Sequence, residues 1–237
     1  MQVSLFVTCL VDQLRPEVGQ ATLALLEHAG CTVNFNPSQT CCGQPACNAG
    51  YEGEAQQVAR HTMDVLAGDD PIVVPSGSCA AQLKHYADLF DAEDPDHARA
   101  VALAPRVHEL SAFLVDQMNY DASGASFEGT LTWHDACHTL RELGVKDQPR
   151  HLLGQVAGAQ LVEAPECETC CGFGGTFAIK MPEISVAMSD RKLDEIIALG
   201  VDSIVSTDIS CLMQLGGRLI SRGSNIRALH LAEILAP

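Results

Sequence analysis

The sequence is short of positive charge, since 14 Lys and Arg stand against 30 Asp and Glu and give a formal net charge of -16. Such a surface repels phosphate backbones and anionic lipid head groups, which disfavours nucleic acid and acidic membranes as partners. No uncharged apolar run approaches the roughly 18 residues that a membrane-spanning helix needs. The opening residues also lack the basic segment and the small-residue cleavage site of a secretory signal. We therefore expect a cytosolic protein without an integral membrane segment.

Cysteine, by contrast, is abundant. The chain has 237 residues and 11 cysteines, an odd number that fits poorly with a closed set of disulfides. Structural disulfides are also rare in a reducing cytosol. The surplus therefore indicates metal binding or redox chemistry.

The cysteines follow an internal repeat in which short apolar runs alternate with helical segments. In each copy one cysteine follows the first run, a Cys-Cys-Gly sequence follows the second, and another cysteine follows the third. These residues are Cys9, Cys41, Cys42 and Cys79 in the first copy and Cys137, Cys170, Cys171 and Cys211 in the second. Nearly equal spacing in the two copies makes this pattern far more specific than any single pair of cysteines.

Strands that alternate with helices of 10–18 residues predict βαβ units and an α/β fold. We predict two pseudo-symmetric halves, residues 1–120 and 121–237, each a small parallel sheet flanked by helices, with the acidic segment 119–130 as the linker. In such sheets ligands gather at the carboxyl ends of the strands. The four cysteines of each half should therefore meet at one end of its sheet.

Four thiolates suit either a Zn²⁺ ion or a [4Fe–4S] cluster. The first copy has none of the tight two-residue knuckles that are typical of structural zinc sites. Gly, Ser and Thr surround the cysteines, and these residues let backbone N–H groups approach cluster sulfurs. Cys79 and Cys211 are also expected near helix N-termini, where the dipole favours a thiolate. We favour iron–sulfur clusters over zinc.

Several motifs make the chain resemble a known family. They are Gln39-Thr40-Cys41-Cys42-Gly43-Gln44-Pro45, Pro75-Ser76-Gly77-Ser78-Cys79, His134-Asp135-Ala136-Cys137-His138, Cys170-Cys171-Gly172-Phe173-Gly174-Gly175-Thr176-Phe177 and Lys180-Met181-Pro182-Glu183. Together they resemble the cysteine-rich CCG domains of heterodisulfide reductase B subunits and of glycolate and glycerol-3-phosphate oxidase iron–sulfur subunits. Within that family the pattern is most similar to subunits of lactate utilization systems. The resemblance implies a three-component system that oxidises L-lactate to pyruvate, with further iron–sulfur and accessory subunits as partners.

The chain departs from the heterodisulfide reductase pattern at the end of each repeat. That pattern closes with Cys-x-x-Cys, which supplies a fifth cysteine for a noncubane cluster. Gln82 and Gln214 occupy those last positions here. One or two ordinary [4Fe–4S] clusters held by the eight repeated cysteines are therefore the expected cofactors, with zinc as the alternative.

The other three cysteines lie outside the repeat. We interpret Cys31 as a buried core thiol. Cys47 and Cys167 lie close enough in sequence to the CCG motifs to complete a centre, but we favour a bystander role for both.

Charged residues also surround Cys137. Arg141 could bind a carboxylate or another subunit and a histidine, His134 or His138, could move protons. Alternatively, Asp135 caps the helix that carries Cys137 and the histidines shield the cluster. Farther along, His108 and His230 are expected at matching places in the two copies.

The sequence thus predicts an iron–sulfur electron-transfer subunit of an oxidoreductase complex for lactate. It has no recognisable flavin or nicotinamide site, because the glycines at 172–175 lack the strand–G-x-G-x-x-G–helix context. Two alternatives stay open: a thiol or disulfide reductase subunit related to heterodisulfide reductase, and a zinc-stabilised interaction module.

Overall fold

Eight parallel strands form the framework of the computed structural model, which describes residues 1–237. The strands are β1 (Gln2–Leu5), β2 (Thr32–Asn34), β3 (Ile72–Val74), β4 (Val107–Glu109), β5 (Ser126–Trp133), β6 (Ala157–Leu161), β7 (Ser203–Ser206) and β8 (Arg227–His230). They form two four-stranded sheets, in the order β2-β1-β3-β4 in the first half and β6-β5-β7-β8 in the second. The predicted α/β fold with two similar halves is confirmed.

Thirteen helices connect the strands and cover the sheets. In the first half they are α1 (Cys9–Leu14), α2 (Pro16–His28), α3 (Gln44–Asn48), α4 (Glu52–Val65), α5 (Gly77–Lys84), α6 (Pro95–Leu103) and α7 (Leu110–Ala112). In the second half they are α8 (Cys137–Arg141), α9 (Asp147–Leu153), α10 (Phe177–Lys180), α11 (Pro182–Leu199), α12 (Ile209–Ser221) and α13 (Leu231–Leu235). No helix is both long enough and apolar enough to cross a membrane.

Local sequence signals explain where the longest helices begin and end. Both α2 and α11 begin at a proline, whose missing N–H is no loss in a first turn. Gly200 ends α11 with φ +67°, and Gly30 follows α2 with φ +84°. Both are left-handed conformations that glycine adopts without strain.

The core of the molecule draws on both halves. The largest cluster of buried apolar side chains has 21 members, among them Leu5 and Leu26 from the first half and Trp133 and Leu231 from the second. The segment expected as the linker is partly structured, because β5 begins at Ser126 and extends through Trp133. The boundary between residues 120 and 121 stays a prediction.

The hydrogen bonds of the central strands show which residues of the two halves are equivalent. The backbone N–H of Phe6 donates to the Val73 carbonyl at 3.0 Å, and that of His134 donates to the Val205 carbonyl at 2.8 Å. Phe6 and His134 therefore occupy the same place, directly after the central strand β1 or β5. Cys9 and Cys137, three residues farther on, are equivalent by the same count.

The sequence comparison of the two ends was wrong by one residue. In the sheets, Val74 pairs with Glu109 and Ser206 pairs with His230, so Glu109 rather than His108 matches His230. Both residues are N-caps: the Glu109 side chain accepts from Ser111 and Ala112, and the His230 ring accepts from Ala232. The error arose because histidine and glutamate can fill the same capping role, which letter-by-letter similarity does not detect.

Candidate metal centres

Two neighbouring cavities hold the repeated cysteines. The first, of about 270 Å³, is lined by Cys9, Cys41, Cys42 and Cys79, and the second, of about 60 Å³, is lined by Cys137, Cys170, Cys171 and Cys211. Six residues line both cavities: Gln44, Asn48, Ser78, Phe173, Gly175 and Ser210. The structure thus brings each predicted set of four thiols together and places the two sets side by side. Their role as ligands stays a prediction.

The glycine of each CCG motif is required by the backbone. Gly43 has φ +85° and Gly172 has φ +88°, which L side chains rarely adopt. A Cβ on Gly172 would also lie 2.6 Å from the Ser185 carbonyl oxygen, and one on Gly43 would lie 3.3 Å from a Val58 methyl carbon. These turns pack the two adjacent cysteines against the following long helix, α4 or α11.

The same turns direct backbone donors at sulfur. The N–H of Gly43 lies 3.4 Å from Cys41 Sγ, and the N–H of Gly172 lies 3.4 Å from Cys170 Sγ. In the second half the N–H of Phe173 also donates to Cys171 Sγ at 3.5 Å. Such donors stabilise thiolates and are a recognised influence on the potential of iron–sulfur centres.

Hydrogen bonds among the closely spaced thiols of each set give them different pKa values. Hydrogen bonds from the Cys42 and Cys9 thiols lower the pKa of Cys41 to about 2, and those from Cys137 and Cys171 lower the pKa of Cys170 to about 2. The hydrogen bond to Cys41, together with burial, raises the pKa of Cys9. In each set the thiolate form is therefore favoured at the first cysteine of the CCG motif. A bound cation would allow the other thiols to ionise as well.

The lone cysteines stand at helix N-termini. Cys9 is the first residue of α1 and Cys137 is the first residue of α8. Cys79 and Cys211 lie in the first turns of α5 and α12. All four single cysteines therefore lie where the positive end of a helix dipole favours negative charge.

The two sets are also linked across the halves. The Asp208 side chain, which caps α12, accepts a hydrogen bond from the Ser78 N–H at 2.9 Å. Gly77 approaches Thr139 so closely that a Cβ would lie 1.6 Å from the threonine hydroxyl oxygen. These contacts join the helix that carries Cys79 to the N-cap of the helix that carries Cys211 and to the helix that carries Cys137.

Donor chemistry at both cavities fits a soft metal centre. Each cavity offers four sulfur atoms, and soft thiolate ligands select zinc, Cu(I) or iron–sulfur clusters over hard cations. The one carboxylate that lines either cavity, Asp208, is engaged in capping α12 and in the contact to Ser78. All eleven cysteines are free thiols.

Two basic residues distinguish the second set. His134 is buried, its ring lies beside Cys171 and Cys211, and burial together with the positive charge of Lys192 lowers its pKa to about 3. Lys192 is also buried, and its Nζ donates to the carbonyls of Glu166 at 2.7 Å and Cys167 at 3.0 Å. Burial lowers the lysine pKa. The sequence analysis missed Lys192, although it follows the buried serines 185 and 189 at helical spacing.

Asp135 does not cap the helix that carries Cys137, contrary to one expectation. Ala136 is the N-cap, and Asp135 instead accepts hydrogen bonds from the Trp133 indole at 2.8 Å and from Arg150 at 2.7 and 2.9 Å. Burial opposes its ionisation, but the Arg150 guanidinium holds the pKa of Asp135 below its usual range. The extended backbone after β5 carries the carboxylate past the helix end toward α9.

The remaining polar residues near Cys137 are more exposed. His138 Nδ1 lies 3.5 Å from Cys137 Sγ, and His138 Nε2 lies 3.5 Å from Glu142. Arg141 is exposed and lines a shallow surface depression with Cys167 and Cys170. Of these residues, His138 lines the second cavity itself.

The three cysteines outside the repeat do not line either thiol cavity. Cys31 is buried in the largest apolar cluster, with Sγ 3.9 Å from Met118 Sδ, so its predicted core role is confirmed. Cys47 lies in α3, and the Cys167 carbonyl receives the N–H of Asp135 at 3.1 Å.

Comparison with known proteins agrees with this geometry. A family model described as a cysteine-rich domain, CCG, matches the chain twice, at residues 3–84 and 131–216. The fold and the matched segments define a class of protein in which two cysteine-rich domains follow each other in one chain.

Curated relatives refine that class. Lactate utilization protein A of Geobacillus kaustophilus (strain HTA426) is 48% identical over 235 residues, which cover 99% of this chain and 98% of that protein. The proteins of the same name from Anoxybacillus flavithermus (strain DSM 21510 / WK1) and Exiguobacterium sp. (strain ATCC BAA-1283 / AT1b) are each 46% identical over 235 residues. Those alignments cover 99% and 98% of this chain and 99% and 96% of the two relatives. The chain belongs to the lactate utilization protein A family of cysteine-rich domain proteins.

Proposed function

We propose that this chain is an iron–sulfur electron-transfer subunit of a cytoplasmic complex that oxidises L-lactate to pyruvate. The observation that carries the proposal is the pair of four-thiol sets in adjoining cavities with shared walls. Two redox centres in adjacent cavities form a route for single electrons, whereas a purely structural metal site has no need of a second site beside it.

The residues of the chain would hold and tune the centres. Cys9, Cys41, Cys42 and Cys79 would ligate the first centre, and Cys137, Cys170, Cys171 and Cys211 would ligate the second. When bound, a [4Fe–4S] cluster accepts and donates one electron at a time. The N–H groups of Gly43 and Gly172 point at thiol sulfurs and would stabilise negative charge there.

Lactate as the electron source rests on the relatives, whose names state lactate utilization. Hydride or electron-pair chemistry on lactate requires a cofactor of a kind that the CCG motifs do not resemble. We therefore infer that other iron–sulfur and accessory subunits oxidise the substrate or accept the electrons, and that this chain connects them.

Growth of a deletion strain tests the proposal. The strain should fail to grow on L-lactate and recover when it carries the wild-type chain, but not when it carries Cys41→Ala with Cys170→Ala. A Cys47→Ala chain is the matched control and should restore growth, because Cys47 does not line either cavity. Normal growth of the deletion strain on L-lactate would refute a role in lactate oxidation. Loss of growth on glycolate alone would indicate that glycolate, and not lactate, is the substrate.

A second candidate is a thiol or disulfide reductase. The first cavity favours it, because about 270 Å³ beside four cysteines, with Leu10, Pro45 and Ile179 in its wall, offers room for a small apolar thiol. Reduced viologen with a disulfide substrate distinguishes the two functions. Turnover by the isolated chain would establish the reductase, and absence of turnover leaves electron transfer.

A further inference from the structure

His134 is the most unusual polar side chain of the structure. Its ring is fully buried, and neither Nδ1 nor Nε2 has a hydrogen-bond partner. Burying a polar group without a partner is costly, and such groups in folded proteins call for an explanation. His230, which is equally buried, shows the ordinary solution: its Nδ1 accepts from the Ala232 N–H, and its Nε2 lies 3.1 Å from the Pro75 and Thr207 carbonyls.

The fold itself does not require a histidine at this place. Phe6 occupies the equivalent place in the first half, where it is fully buried within an apolar cluster. An aromatic hydrocarbon therefore satisfies the packing between the central strand and the first cysteine of a half. The histidine adds two nitrogen atoms that packing alone does not use.

A ring nitrogen of His134 lies close to the sulfur atoms of two cysteines. One ring nitrogen of His134 and the Sγ atoms of Cys171 and Cys211 all lie within 4.8 Å of one another, and the two sulfurs are 2.9 Å apart. Because neither ring nitrogen has a hydrogen-bond partner, the imidazole has a lone pair that it can donate to a metal.

We propose that His134 is a nitrogen ligand of the metal centre in the second half, alongside Cys171 and Cys211 and in place of one of the two other thiolates of that set. The proposal rests on the proposed function in that it needs a metal in this cavity. It gives the second centre a donor that the first cannot have, since Phe6 offers no ligand atom. Histidine in place of thiolate raises the potential of an iron–sulfur centre, so the second centre should be reduced first.

Pulsed EPR on anaerobically purified, partly reduced protein with ¹⁵N-labelled histidine tests the assignment directly. We expect a strongly coupled histidine nitrogen, comparable to that of a Rieske centre measured alongside. The signal should be lost completely in His134→Phe, which copies the residue found in the first half, and should persist in His230→Asn. His134→Cys should retain the iron content while losing the nitrogen coupling.

The outcomes separate this proposal from the proposed function. Iron without a coupled nitrogen, with only weak coupling from a hydrogen bond, or with coupling that survives His134→Phe would overturn the ligand assignment alone. Zinc in place of iron would overturn the electron-transfer function, and ¹⁵N NMR of the same labelled protein would then decide the assignment. A zinc-shifted His134 nitrogen would support it, and the spectrum of a free neutral imidazole would overturn it.

Discussion

The two halves of this molecule repeat a backbone and a thiol pattern but differ in what surrounds the sulfur atoms. Phe6 in the first half stands where His134 stands in the second, as the matched hydrogen bonds to Val73 and Val205 establish. Gly43 approaches Ala55 and Val58, while Gly172 approaches Ser185 and Met188, which aligns helix α4 with helix α11.

The aligned helices show how the surroundings diverge. On that alignment Thr62 matches Lys192, and Ala59 matches Ser189. The carbonyl of the second CCG cysteine is satisfied by the Tyr86 hydroxyl in the first half and by the Ser189 hydroxyl in the second, both at 2.8 Å. The same backbone geometry thus holds two sets of thiols in environments of different charge, which predicts two centres of different potential.

Removing one CCG thiol should have the largest effect. Cys41→Ala and Cys170→Ala should each abolish one centre and leave the other, so that iron falls from about eight to about four per chain. Iron and sulfide analysis of anaerobically purified variants checks this. Cys31→Ala is the control and should keep all the iron. Loss of both centres in either single variant would contradict the assignment of a separate set of thiols to each centre.

Replacing the glycine of each CCG motif by alanine should destabilise the protein more where the turn is more crowded. Gly30→Ala meets no neighbouring atom and should cost about 1 kcal/mol of the free energy of unfolding, from its positive φ alone. Gly43→Ala adds a tight contact to a side chain and should cost about 2 kcal/mol. Gly172→Ala meets a backbone carbonyl and should cost about 3 kcal/mol or more. Urea unfolding measures the series, and an equal cost at all three positions would refute the ranking.

The matched caps Glu109 and His230 should make stability depend on pH in opposite directions. Burial lowers the pKa of His230 to about 4, so the unfolded chain binds more protons than the folded chain between pH 6.5 and 4. This residue should therefore cost about 2 kcal/mol of stability between pH 7 and 5. Burial raises the pKa of Glu109, so its contribution is present at low pH and is lost as the pH rises through the folded value.

The His230→Asn variant isolates the histidine contribution. Its stability should fall about 2 kcal/mol less than that of the wild type between pH 7 and 5, because asparagine does not titrate. Urea unfolding of the metal-free protein at both pH values provides the measurement, with exposed His61→Asn as the control. If the stability of the His230 variant fell with pH as steeply as that of the wild type, the assignment of this pH dependence to His230 would be wrong.

Replacing the buried lysine should change stability least. In Lys192→Met the lost hydrogen bonds to two carbonyls are offset by relief from burying a charge, so the free energy of unfolding should change by about 1 kcal/mol or less. The potential of the second centre should nevertheless fall, because a nearby positive charge is gone. Redox titration followed by EPR checks this, with Thr62→Val as the control in the first half. A shift in the first centre instead would contradict the alignment of the two helices.

The features that could be predicted from the sequence are those that follow from a local pattern repeated in both halves. The cysteines were expected at the ends of strands because parallel strands place their carboxyl ends together. Strands β4 and β8 are hard to recognise in the sequence, since three or four residues that mix His, Glu and Arg carry no apolar alternation. The shared core and the wall common to both cavities depend on long-range packing, which no local pattern encodes.

Side-chain partners were the least predictable part of the site. One of the two interpretations of the residues around Cys137 made Asp135 a helix cap, and only the fold brings Arg150 and Trp133 to it. Lys192 was overlooked because a lysine in a helix is ordinarily solvated, whereas here the apolar face of α11 carries it inward. The equivalence of Phe6 and His134 requires the strand register and is not visible in either residue alone.

The most direct test of the central claim is the content of iron, sulfide and zinc per chain in anaerobically purified protein, read together with EPR during stepwise reduction. Two [4Fe–4S] centres predict about eight irons with matching sulfide and two signals that appear at different potentials. Stoichiometric zinc without a visible absorption band would contradict the account and make the chain a zinc-stabilised interaction module.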